Sequence, residues 1–156
     1  MPSVTLLGSA SLKGDHGTVG GPAAQRHRVG LLALLALASP SSVSRDRLVA
    51  YLWPDRDTEH ARNLLKQSVH ALRRTLGECA ILSESDALCL NAELVPCDVL
   101  EFQAALAAGE LERAVGLYAG PLLDGFHLPH ASEFEHRMDA ERERLRRRVI
   151  QALESL

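Results

Sequence analysis

The chain has 156 residues, 46% hydrophobic and 24% charged, which suits one mid-sized globular domain or two small ones with a core large enough to fold. Eleven Gly, seven Pro and three Cys exclude a collagen-like, low-complexity or disulfide-dense chain, and with only 4% aromatic residues the core must be built from Leu, Ala and Val, a mix that leans helical. The formal net charge of −3 hides a split, with ten Lys/Arg against nine Asp/Glu in residues 1–96 and seven against eleven in residues 97–156.

Val4 to Lys13 reads as a strand, followed by turn chemistry over Gly14 to Gly17 and a short return at Thr18 to Gly20. The Gly-x-x-Gly spacing lacks the Gly-Lys-Ser/Thr and the strand-to-helix switch of a phosphate loop, so it reads as a hairpin turn. From Gln25 the period becomes helical. Val29, Leu31, Leu32, Leu34, Leu35 and Leu37 make a helix that is apolar on most sides and must be buried. Ser39-Pro40-Ser41-Ser42 stops it. Ser44 is a good N-cap for a helix over Arg45 to Trp53, with Leu48, Val49, Leu52 and Trp53 facing inward. Pro54 ends that helix, Asp57 or Thr58 caps the next, and Gly77 closes it after Leu76. Ala80 to Leu82 and Ala87 to Leu90 form a hairpin around Ser83-Glu84-Ser85-Asp86. The sign of charge changes near Pro96, which places a boundary there between residues 1–96 and residues 97–156. Beyond it, helices are expected near Asp98 to Ala108, Glu110 to Ala119 and Ala131 to Leu156, a helical-hairpin module followed by a longer helix.

The helix from Ala61 to Leu76 carries the chemistry. At 3.6 residues per turn, Ala61, Leu64, Leu65, Val69, Leu72 and Leu76 gather on one side. Arg62, Asn63, Lys66, Gln67, His70, Arg73 and Arg74 occupy the other. A solvated helix normally mixes signs, because Glu and Lys four apart contribute about 0.2 to 0.5 kcal/mol. Here no acid interrupts the polar face between Arg62 and Arg74. Arg and Lys neutralise phosphates, and Asn, Gln and Arg make bidentate hydrogen bonds to base edges in the major groove. A short helix, a turn and this basic helix make a helix-turn-helix succession, with the hairpin where a wing would sit.

The stretches VTLLGSASL, LLALLALAS, VSRDRLVAYLWPD and ARNLLKQSVHALRRTLGE, followed by CDVLEFQAALAAGELERAVGLYAGPLLDGF and EFEHRMDAERERLRRR, resemble a known family over nearly the whole chain. They are similar to bacterial regulators with an OmpR-type winged helix-turn-helix followed by a bacterial transcriptional activator domain, as in the Streptomyces antibiotic regulatory proteins. The resemblance implies an α+β winged helix over residues 1–96 and an all-α, tetratricopeptide-like segment over residues 97–156. It implies a transcriptional activator that inserts Thr58 to Leu76 in the major groove of double-stranded DNA, contacting it through Arg62, Lys66, Gln67, His70, Arg73 and Arg74. RNA polymerase and a second copy of the chain are the implied partners. Three departures stand out. The wing tip is acidic where the family offers Arg or Lys. Arg137 stands where the family commonly has Trp. The chain stops at Leu156, about one helical pair into such a domain, which reads as a piece of a longer regulator.

Other chemistries find little support. His127, His130 and His136 lack HExxH spacing, so no metal is expected and a loop with surface His residues is. With no GxSxG motif, an enzyme is not expected. Nothing points to a cofactor. The run Arg142 to Arg148 follows Glu133, Glu135, Asp139, Glu141 and Glu143, an order that complements a helix dipole and reads as structural or partner-contacting. The longest apolar stretch, Val29 to Ala38, is shorter than the roughly 20 residues of a membrane span. Pro2 to Leu7 has no basic residue to open a signal peptide. The cytoplasm is the expected location, and Cys79, Cys89 and Cys97, odd in number and without CxxC spacing, read as small apolar side chains there. The competing reading is a protein-interaction module whose winged helix has lost DNA binding, favoured by the acidic wing tip and the net negative charge.

Overall fold

The computed structural model describes residues 2–14 and 22–156. Eleven elements follow in chain order: β1 (Ser3–Thr5), β2 (Ser11–Lys13), α1 (Pro22–Ala38), β3 (Val43–Ser44), α2 (Arg45–Leu52), α3 (Thr58–Leu76), β4 (Ile81–Glu84), β5 (Ala87–Leu90), α4 (Asp98–Ala107), α5 (Leu111–Leu117) and α6 (Ser132–Glu154). This is the expected α+β winged helix followed by helices. α1 is the hub: Leu31 to Ala36 are each at most 2% exposed, and the helix contacts α2, α3, α4, β3 and β5. A helix apolar on nearly every side has to be surrounded. α2 begins where Ser44 Oγ accepts the Arg47 amide at 3.2 Å, as a helix N-cap should, and buries Leu48, Val49 and Leu52.

The amino-terminal segment differs from expectation. Val4 to Lys13 is not one strand; it folds back on itself, with Ser3 opposite Lys13 and Val4 opposite Leu12. The chain reverses through Gly8, whose φ of +90° suits glycine far better than any residue with a Cβ. Alternation of apolar residues does not reveal such a reversal, because Ser-Ala-Ser after Gly8 continues the period of two. The return at Thr18 to Gly20 lies outside the described residues. A second unforeseen pairing is β3 with β5, Val43 opposite Leu88, which extends the β4–β5 hairpin to a three-stranded sheet in the order β3-β5-β4.

The first segment also clasps the helical half. Val4 N donates to Pro96 O at 2.9 Å, Gly8 N to Pro121 O at 2.9 Å, and Leu123 N to Leu6 O at 2.8 Å. Gly8 and Gly120 pass so closely that a Cβ on Gly120 would lie 3.1 Å from the Gly8 Cα. Asp98, in the first turn of α4, accepts the Leu6 and Leu7 amides at 2.8 Å each. Burial holds the Asp98 carboxyl above its ordinary range, the backbone amides that bond it pulling the other way. One hydrophobic cluster accordingly runs from Val4 through α1 to Phe102, Phe134, Met138 and Leu145 across the 96/97 boundary.

In α6, Phe134, Met138, Leu145, Val149 and Ala152 form the buried stripe. Several of its arginines are engaged within the chain. Arg142 donates to the Leu122 and Leu123 carbonyls at 2.6 and 3.1 Å, Arg144 pairs with Glu141 at 2.7 Å and Arg147 with Glu143 at 3.2 Å. Arg137 lies over the Tyr51 ring at 5.9 Å from its centroid and donates to the hydroxyl at 3.3 Å. The cysteines divide. Cys97 is buried, and burial pushes its thiol up to about 11; Cys89 is half-buried, and Cys79 is exposed.

Replacing Asp98 by Ala strands two buried amides and should cost about 1–3 kcal/mol of stability in urea denaturation, with faster hydrogen exchange at Leu6 and Leu7 while the α3 amides stay protected.

Candidate nucleic-acid interface

α3 is fixed at both ends before any ligand is considered. Asp57 Oδ1 accepts the His60 amide at 2.7 Å, and Gly77 closes the helix with φ of 118° while its amide returns to Arg73 O. Between the caps Ala61, Leu65, Val69, Leu72 and Leu76 are at most 4% exposed, in the same cluster as Leu34, Leu48 and Leu52. The apolar face therefore points inward, and the opposite face meets solvent.

The seven candidate residues fall into three groups. Asn63, Lys66, His70 and Arg74 are exposed in the centre of the outer face. Gln67 is also exposed but stands at the edge turned toward the helical half. There it lines a cleft of about 360 Å³ with Trp53, Leu64, Ser68, Leu128, Pro129 and His130. Arg62 and Arg73 flank the other edge and are half-buried against the wing. Arg73 donates to the Ile81 carbonyl through Nε at 3.1 Å and Nη2 at 2.8 Å, and reaches Ser83 Oγ at 3.3 Å. It binds the wing to the helix. Glu59, one turn before the basic run, is exposed in the first turn of α3, where a carboxylate complements the helix dipole.

Arg62 has partners that composition alone does not disclose. Its Nη2 meets Asp46 Oδ1 and, at 3.0 Å, Asp86 Oδ2, while Nη1 faces Asp86 Oδ1 at 3.5 Å. Arg45 approaches Asp86 as well, at 3.6 Å, and its amide donates to the Asp86 carbonyl at 2.9 Å. The Arg62 guanidinium holds the Asp86 carboxyl below the ordinary range, and the two carboxylates push Arg62 further up. A depressed carboxyl keeps its pairing throughout neutral pH and loses it only as the pH falls through that depressed value. The acidic wing tip thus borders the outer face of α3. Asp46 and Asp86 were not among the candidates; the one signal in the sequence was the wing tip's sign, opposite to that of the basic helix beside it.

Comparisons with known proteins agree with this geometry. Residues 23–85 match the model of the family described as transcriptional regulatory protein, C terminal. No curated protein is significantly similar to the chain. Among solved structures, Mycobacterium tuberculosis EmbR in complex with a low affinity phosphopeptide superposes with a TM-score of 0.66 at 24% identity, over 97% of this chain. The chain spans 43% of the EmbR chain. Among the described residues no helix is long and apolar enough to cross a membrane. Residues 23–85 are thus similar to the transcriptional regulatory protein, C terminal family, and the chain as a whole shares its fold with EmbR.

Proposed function

We propose that the protein is a sequence-specific transcriptional regulator, an activator, which reads promoter DNA with α3 in the major groove. The observation that carries this reading is the solvent-facing row of Asn63, Lys66, His70 and Arg74 opposite the buried Leu65, Val69 and Leu72. Asn63 and Gln67 carry the amide geometry that pairs with adenine, and Lys66 suits guanine. Arg74, near the helix end, suits phosphate, which positions without specifying. Arg73, spent on the Ile81 carbonyl, supports the wing rather than a base.

Residues 1–96 are the DNA-reading unit in this proposal, and residues 97–156 the start of a tetratricopeptide-like unit that carries partner contacts. A single winged helix covers a short site, so two copies on repeated half-sites give useful specificity. RNA polymerase is the partner an activator needs, and the cytoplasm, where promoter DNA lies, is the place of action. The second reading, a protein-interaction module without DNA binding, is favoured by one observation: carboxylates neutralise Arg62 at the wing edge.

Salt titration of duplex binding decides between them. For the DNA reading, Lys66→Ala leaves thermal stability unchanged, weakens binding, and lowers the slope of log K against log salt by about 0.9, the loss of one phosphate contact. Absence of duplex binding, or binding indifferent to salt, favours the interaction module. Leu72→Ala behaves oppositely to Lys66→Ala. It opens the core and costs about 2–5 kcal/mol in urea denaturation, losing DNA binding only in proportion to unfolded protein.

A further inference from the structure

We propose that Asp46 and Asp86 form a carboxylate clamp that withholds Arg62 from DNA phosphate, making these two acids specificity determinants of the α3 face. The inference rests on the DNA-reading role proposed for α3. Its geometry comes from three elements. Arg62 rises from the second turn of α3 on the same side as Lys66 and His70, Asp46 belongs to the first turn of α2, and Asp86 closes the wing turn before β5. Asp86 itself is held, since its backbone carbonyl accepts the Arg45 amide at 2.9 Å. Its side chain lies 3.6 Å from Arg45 Nε.

A guanidinium engages phosphate or guanine through two parallel N–H groups. The Nη1–Nη2 edge of Arg62 already faces the two Asp86 oxygens, at 3.5 and 3.0 Å, and Asp46 bonds Nη2 again. A phosphate arriving at this edge would have to displace a carboxylate of the same shape and charge, with the second carboxylate still repelling it. Arg45, Arg62, Asp46 and Asp86 sum to zero formal charge, so this edge of the reading face adds nothing to counterion release. Lys66 and Arg74, by contrast, make no ion pair among the described residues. Exposed ion pairs contribute little to stability, so the clamp's effect falls on binding. Sequence-indifferent attraction is held down, and only a site that rewards the whole face offsets release of Arg62.

The test uses the full chain with substitutions Asp86→Asn, Asp46→Asn, Arg62→Ala and the pair Arg62→Ala/Asp86→Asn. Each is titrated across salt against random-sequence duplex and against a duplex that the unsubstituted protein selects from random DNA. Asp86→Asn should tighten binding to random duplex about tenfold and steepen the salt slope by about 0.9, one added phosphate contact, while the preference for the selected duplex shrinks. The gain should largely vanish in the Arg62→Ala background, because the clamp acts through that side chain. An equal gain in both backgrounds overturns the proposal, as does an unchanged affinity and slope in a protein that binds DNA. Should none of the proteins, clamp variants included, bind duplex, the DNA-reading role falls and takes the clamp with it. Should Asp86→Asn fail to fold by circular dichroism, Asp46→Asn answers the same questions from the α2 side.

Discussion

The burial of α1 sets the terms for everything else. Six consecutive residues, Leu31 to Ala36, are closed off from water, and a helix with no polar face can be satisfied only by neighbours on all sides. α2 and α3 cover one part of it, β5 and β3 another, and α4 a third. Once α3 is committed to that surface through Leu65, Val69 and Leu72, its polar side has one direction left. The outward row of Asn63, Lys66, His70 and Arg74 is therefore a consequence of core packing, requiring no separate device to orient it. The same requirement draws the helical half into contact with the winged helix, because the hydrophobic surface of α1 exceeds what α2 and α3 cover.

Charge on the outer face is organised less simply than a basic stripe. Its centre carries exposed Lys66, His70 and Arg74, while its wing edge is a balanced set of two arginines and two aspartates. Arg73 is drawn away into hydrogen bonds with the Ile81 carbonyl and Ser83. An arginine in a helix-turn-helix can serve the nucleic acid or the protein, and its five N–H donors in a fixed fork suit either. The β4–β5 hairpin and its turn engage Arg62 and Arg73 in hydrogen bonds, whereas among the described residues Lys66 and Arg74 form none with it.

Much of this was legible in the sequence because the signals were local. The helical period of Leu and Ala, Ser44 and Asp57 as caps and Gly77 as a stop each act within a turn or two, and each appears where expected; the acids of α6 do stand in its first turn, but the helix runs on past Arg148 to Glu154 and its last turn carries no base. The outer face of α3 was legible for the same reason, as a wheel needs only spacing. What escaped was set by contacts far apart in the chain. The reversal at Gly8, the pairing of Val43 with Leu88 and the capture of the Leu6 and Leu7 amides by Asp98 join residues more than 40 positions apart or interrupt a continuous apolar alternation. The engagement of Arg62 by Asp46 and Asp86 is of that kind too. Sixteen and twenty-four residues separate these partners, and no periodicity links them.

α2 is one of the elements that join the two halves. It packs on α3 at one side and on α6 at the other, and Tyr51 receives Arg137 across that second junction. This junction uses a cation over an aromatic ring, a contact that combines charge with stacking. The Arg137 guanidinium also lowers the Tyr51 hydroxyl from its ordinary range, outweighing the effect of burial. α6 thus bears on α2, whose own first turn carries Asp46, a partner of Arg62. This junction acts beside the clasp of the first segment on α4 and the packing of α1 on α4, so the outer edge of α3 is tied to the helical half by several contacts at once.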